Sequence, residues 1–107
     1  MKLLPIIFAL TSAALAQVSY ERIQASASEP GNWLTYSGDY LGHHHSALKK
    51  IDRTNVGRLK LAWAYQVRTT EKIETTPLVV DGIMYLSEPG GSVTALDTRT
   101  ARPRWGS

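Results

Sequence analysis

Residues 74–105 read ETTPLVVDGIMYLSEPGGSVTALDTRTARPRW, from Glu74 to Trp105, and the turn signals in this stretch decide the fold. Leu78-Val79-Val80 is apolar and largely β-branched. It runs into Asp81-Gly82, a pair suited to a two-residue type I′ turn, which needs positive φ at both central positions. Ile83 therefore opens a second strand, Ile83-Met84-Tyr85-Leu86, which ends in Glu88-Pro89-Gly90-Gly91. There proline withdraws a backbone donor and the glycines permit a reversal. Ser92-Val93-Thr94-Ala95-Leu96 alternates with period two and ends at Asp97. A longer turn from Asp97 to Ala101 leads to a short fourth strand carrying Trp105.

The product is an antiparallel meander of roughly thirty residues, the size of one blade of a β-propeller. Upstream, Leu59, Leu61, Trp63 and Tyr65 alternate along Leu59 to Val67, which predicts a further half-buried strand. Asp52 or Thr54 is placed to cap a short helical turn through Val56, after which Gly57 releases the chain into that strand. Residues Val18 to Ser28 predict a short helix with Tyr20, Ile23 and Ala27 on one face, ended by Glu29-Pro30-Gly31. The aromatic stretch Asn32 to Tyr40 has strand-like alternation. Trp33 and Tyr36 there would serve as a stacking platform or, more ordinarily, as packing beneath a loop.

Composition narrows the function. The chain has 107 residues, a formal net charge of +3 and no cysteine. That length suits one small domain at most. Lys49-Lys50, Arg53, Arg58 and Lys60 are interspersed with apolar and polar positions, which reads as a solvated face and not as a nucleic-acid surface. Without cysteine there is no disulfide framework and no thiolate metal site. His43-His44-His45 offers imidazoles, but three consecutive side chains do not readily converge on one ion. No cysteine or acidic residue stands at an obvious ligand spacing, so no metal site is expected. Lys2, the apolar run Leu3 to Leu10 and Ala14-Leu15-Ala16 have the order of a signal peptide spanning 1–16, with Gln17 as the mature N-terminus. The apolar run is short of the roughly 20 residues that span a bilayer, which argues against an anchor. An exported, periplasmic protein is expected.

A resemblance adds to this reading. Ala95-Leu96-Asp97-Thr98-Arg99-Thr100-Ala101-Arg102-Pro103-Arg104-Trp105 resembles the tryptophan-docking motif of the pyrroloquinoline quinone (PQQ) dehydrogenases, A-x-D-x-x-T-G-x-x-x-W. It matches at Ala95, Asp97, Thr100 and Trp105. Ala101 stands where the family usually has glycine. In the left-handed region alanine costs roughly 1 kcal/mol or a little more. The ordered series NWLTYSGDYLGHHHSAL, IDRTNVGRLKLAWAYQ and IETTPLVVDGIMYLS, followed by the docking motif, resembles the amino-terminal part of quinoprotein alcohol dehydrogenases. The resemblance implies an all-β fold: one blade plus lead-in strands of an eight-bladed β-propeller, incomplete in this chain. The lead-in would cover 17–58 and the first blade 59–107. Trp63, Tyr85 and Trp105 would then be short of packing partners.

The resemblance also implies chemistry. In this family PQQ accepts hydride from an alcohol or sugar, a calcium or lanthanide ion polarises its carbonyl, and cytochrome c or a membrane quinone takes the electrons. The protein supplies position and electrostatics. Glu74, in Ile73-Glu74-Thr75-Thr76-Pro77, looks like the family's glutamate that hydrogen-bonds PQQ. Taken by itself it reads as an exposed loop carboxylate. The base and the metal ligands would lie beyond Ser107, so the chain alone is expected to be inactive. A cofactor-free PQQ-like propeller serving as a scaffold or assembly factor is the alternative. It would need neither Glu74 nor the NWLTYSGDY lead-in.

Overall fold

The computed structural model describes residues 18–107, so the expected signal peptide lies outside the described residues. Four strands, β1 Leu78–Val80, β2 Ile83–Glu88, β3 Ser92–Asp97 and β4 Pro103–Gly106, form one antiparallel sheet in the order β1-β2-β3-β4. Asp81 and Gly82 have φ of 50° and 81°, so both central residues of the first hairpin are left-handed, as the Asp-Gly pair requires. The turn fixes the register by pairing Val80 with Ile83 and Leu78 with Tyr85. At the second reversal Gly90 and Gly91 have φ of 83° and 81°, and Glu88 faces Ser92.

The β3–β4 connection is organised by Asp97. Its carbonyl accepts from Thr100 and Ala101, its N–H donates to the carbonyl of Arg102 at 2.9 Å, and its carboxylate accepts from the Arg99 N–H at 2.9 Å. Ala101 sits at φ 57°, in the left-handed region where the family pattern has glycine. Beyond it the ladder carries a bulge. Leu96 pairs with Pro103 and Ala95 with Trp105, leaving Arg104 as the extra residue on β4. The core is small: Leu34, Val80, Ala95, Leu96 and Ala101 are buried, with Leu96 wholly enclosed.

Several expectations need correction. Leu59 to Val67 is not a strand: the segment has no ladder partner among the described residues, and Leu59 and Leu61 are exposed. Alternation reports the side-chain environment, but a strand exists only where another backbone takes up its N–H and C=O groups. Asn32 to Tyr40 is a run of turns with one bridge, in which Trp33 and Val79 exchange backbone hydrogen bonds of 2.8 and 3.0 Å. The amino-terminal helix is shorter than expected. It comprises α1 Tyr20–Gln24, capped by Ser19 Oγ accepting from the Arg22 N–H, followed by a 3₁₀ turn over Ser26–Ser28. Asp52 does cap a short helical turn through Val56: its Oδ1 accepts from the N–H and hydroxyl of Thr54, and its carbonyl accepts from the Val56 N–H at 2.9 Å. The following 3₁₀ turn is Val56–Arg58 and contains Gly57.

The aromatic side chains expected to lack partners are only partly so. Trp63 donates its indole N–H to the Thr98 carbonyl at 2.9 Å, and the rings of Tyr85 and Trp105 lie 6.0 Å apart. Trp105 remains 53% exposed. An acidic residue does reach the histidine run, as a hydrogen-bond partner. Asp39 Oδ2 lies 2.7 Å from His43 Nδ1, and its other oxygen accepts from the N–H groups of Leu41 and His43. The turn over Tyr40 and Leu41, with Gly42 at φ 72°, brings Asp39 and His43 together, which a linear reading of spacing does not reveal. No group of three or more His, Cys, Asp or Glu suited to a metal ion occurs among the described residues.

Candidate cofactor site

Glu74 lies in the extended segment just before β1, and its position follows from how the β1–β2 ladder ends. Counting outward from the Asp81-Gly82 turn, the last pair is Leu78 with Tyr85, and continuing the same register would set Ser87 of β2 opposite Thr76. Pro77 lies between and has no N–H to give. The ladder is continued by a side chain. Thr75 Oγ1 accepts from the Ser87 N–H at 3.4 Å and shares a 2.9 Å hydrogen bond with Ser87 Oγ.

Glu74 is thereby held at the end of the sheet with its carboxylate largely in solvent, paired with Lys72. Tyr36, Thr75, Thr76, Leu78 and Ser87 line an open hollow with it. Glu74 also shares a smaller hollow with Lys72, Ser87, Glu88 and Pro89. The structure therefore brings Tyr36 from the lead-in and Ser87 from β2 to the one site residue singled out in the sequence. Ser87 was recoverable in principle, since the hairpin register alone places it opposite Thr76. Tyr36 was not, because its approach depends on the turns after Trp33.

A charge network holds the lead-in against the sheet. The Arg22 guanidinium donates to both carboxylate oxygens of Glu29, at 2.8 to 3.1 Å, and to both of Asp81, at 2.6 and 3.1 Å. Asn32 bridges the same partners. Its Nδ2 donates to Glu29 at 2.6 Å and its Oδ1 accepts from the Asp81 N–H at 2.9 Å. Hydrogen bonds to Asp81 first and Glu29 second raise the Arg22 pKa, and the bond from Arg22 holds Glu29 below its ordinary value. The segment delivering Trp33, Leu34 and Tyr36 is thus pinned to the β1–β2 turn. The side chain of Asp97 is likewise held low, chiefly by the Arg99 guanidinium and then by the Arg99 N–H.

Residues 33–107 match the PQQ glucose/ethanol/alcohol dehydrogenase β-propeller domain. The chain belongs to the PQQ-dependent alcohol dehydrogenase family. Quinohaemoprotein alcohol dehydrogenase ADH-IIG of Pseudomonas putida is 43% identical over 97 residues, 91% of this chain and 14% of the relative. Its solved structure superposes with a TM-score of 0.80 at 44% identity, covering 83% of this chain and 13% of that one. The quinohaemoprotein alcohol dehydrogenase of Comamonas testosteroni gives a TM-score of 0.78 at 42% identity, with the same coverages of 83% and 13%. A europium-containing methanol dehydrogenase gives 0.72 at 31% identity, covering 81% of this chain and 16% of that one. The chain thus spans about one-seventh of the length of the curated relative, and its four-stranded sheet corresponds to part of the family's propeller domain.

The donor set at Glu74 suits the cofactor that gives the family its name. A planar quinone bearing carboxylates and a ring N–H needs an acceptor for that N–H, donors for its oxygens and an apolar contact for its edge. Around the hollow, Glu74 would supply the first, the hydroxyls of Tyr36, Thr75, Thr76 and Ser87 the second, and Leu78 the third.

Proposed function

We propose that the protein is an exported PQQ-dependent dehydrogenase that oxidises alcohols or related sugars. Residues 59–107 contribute the first blade of an eight-bladed propeller, 17–58 its lead-in, and 1–16 a signal peptide directing it to the periplasm. The observation that carries this reading is the position of Glu74 on the segment leading into β1, at an open hollow that the hydroxyl side chains of Tyr36, Thr75, Thr76 and Ser87 also line and one residue from the Thr75–Ser87 contact.

When bound, PQQ supplies the two-electron acceptor that takes hydride from the alcohol carbon. Glu74 orients the cofactor by accepting a hydrogen bond, and the neighbouring hydroxyls donate to its oxygens. Lys72, paired with Glu74 before binding, is free to turn toward an anionic ligand. A calcium or lanthanide ion completes the site, with its ligands and the catalytic base lying outside residues 18–107. The electrons pass to cytochrome c or a membrane quinone.

The test is alcohol-dependent reduction of an artificial electron acceptor by the full-length protein, supplied with PQQ and calcium. Activity that needs both, with PQQ affinity weakened about 10-fold or more by Glu74→Ala, is the expected result. A cofactor-free scaffold would reduce no acceptor and would be indifferent to the substitution.

A further inference from the structure

We propose that Thr75 and Ser87 are positioning residues that set the affinity for the quinone cofactor by fixing where Glu74 stands, an inference that rests on the cofactor reading of Glu74 above. The last backbone pair of the ladder is Leu78–Tyr85, four residues beyond Glu74. Pro77 cannot extend that ladder toward Glu74. Without another tie, Glu74 would hang on an extended segment, its ion pair with Lys72 joining two exposed groups and holding little. The Thr75 hydroxyl supplies the tie one residue from Glu74, meeting both the N–H and the hydroxyl of Ser87.

This arrangement has a directional consequence. Thr75 lies on the segment that enters β1 and Ser87 lies on β2, so their contact restricts that segment without needing the cofactor. A carboxylate held in its binding position beforehand loses less freedom when the ligand arrives. Both hydroxyls also line the hollow, so direct contact with the cofactor is the competing role to be separated.

The separating experiment is equilibrium dialysis of PQQ, with calcium present, against the full-length protein and its variants. Thr75→Val and Ser87→Ala should each raise the Kd about 3- to 10-fold. Thr75→Ser, which keeps the hydroxyl, should restore binding to near the parent value. Once Glu74→Gln has been introduced, Thr75→Val should raise the Kd no further, because there is no longer a carboxylate to position. Equal losses with and without Glu74→Gln would show that the hydroxyls act on the cofactor directly or on the fold, and would overturn the proposal. If Glu74→Gln weakens binding while both hydroxyl variants bind like the parent, only the positioning role fails. If Glu74→Gln leaves the Kd unchanged, the cofactor reading of Glu74 falls and the positioning role falls with it. Should Thr75→Val prove unstable, Ser87→Ala at the exposed end of the contact makes the same comparison.

Discussion

The indole N–H of Trp63 donates to the carbonyl oxygen of Thr98 at 2.9 Å, across 35 residues of sequence. This bond ties a segment with no strand pairing to the Asp97–Ala101 turn, inside the stretch that resembles the docking motif. Trp105, the tryptophan of that motif, instead lies beside Tyr85 and stays half exposed. The tryptophan docked on the turn therefore comes from upstream of the motif. Trp63→Phe keeps most of the ring and removes the donor. It should cost about 1 kcal/mol, read as a lower urea midpoint with an unchanged m-value.

Ala101 is a balance of two effects of similar size. Its φ of 57° penalises any side chain, so Ala101→Gly relieves roughly 1 kcal/mol. The methyl group is buried, however, and its loss costs about 0.8 kcal/mol. The net change should stay within about 0.5 kcal/mol of zero by these figures. Ala101→Val adds a β-branched side chain in the same backbone region and should lose about 2 kcal/mol or more. Urea denaturation of the pair separates backbone strain from packing.

Leu96 is wholly enclosed at the centre of β3, between Met84 on one side and Pro103 on the other. Leu96→Ala should cost about 2–5 kcal/mol, and a sheet with so few buried residues should lose its cooperative thermal transition.

Acid should weaken the fold through Asp97, Glu29 and Asp52, whose pKa values all lie below their ordinary ones. For Asp97 the first cause is the Arg99 side chain, for Glu29 the Arg22 side chain, and for Asp52 the Thr54 hydroxyl. A carboxylate depressed in the folded state contributes stability that is complete above its unfolded value. That contribution is lost as pH falls through the depressed one. Thermal midpoints should therefore be flat above about pH 5 and fall below about pH 4. Asp97→Asn should shrink the fall, and an unchanged slope would remove Asp97 from the account.

Much of the sheet was legible because its turns are chemically explicit. Asp81-Gly82 and Gly90-Gly91 set two reversals, and the first also set a register from which Ser87 follows. The segment Leu59 to Val67 was misread for a physical reason. Its alternation is real, with Trp63 and Tyr65 more covered than Leu59 and Leu61, but pairing depends on a partner that periodicity does not name. The Arg22–Asp81 and Asp39–His43 contacts were likewise invisible, since each needs a turn to bring its partners together. Glu74 was singled out through the resemblance, while the approach of Tyr36 emerged only with the fold.

The Arg22 network should make the lead-in sensitive to charge. Asp81→Asn keeps a residue that tolerates the left-handed turn while removing the carboxylate facing Arg22. Amide exchange at Trp33 and Val79, whose bridge follows the clamp, should quicken in this variant while the β2–β3 ladder stays protected. Equal acceleration throughout the sheet would show that the clamp serves the whole fold.

Whether Glu74 holds the quinone cofactor can be seen in a crystal structure of the full-length protein with PQQ and calcium. The Glu74 carboxylate should stand within hydrogen-bonding distance of the cofactor, released from Lys72, with the Thr75–Ser87 contact intact. A cofactor bound elsewhere, with Glu74 still turned to Lys72 in solvent, would contradict that role.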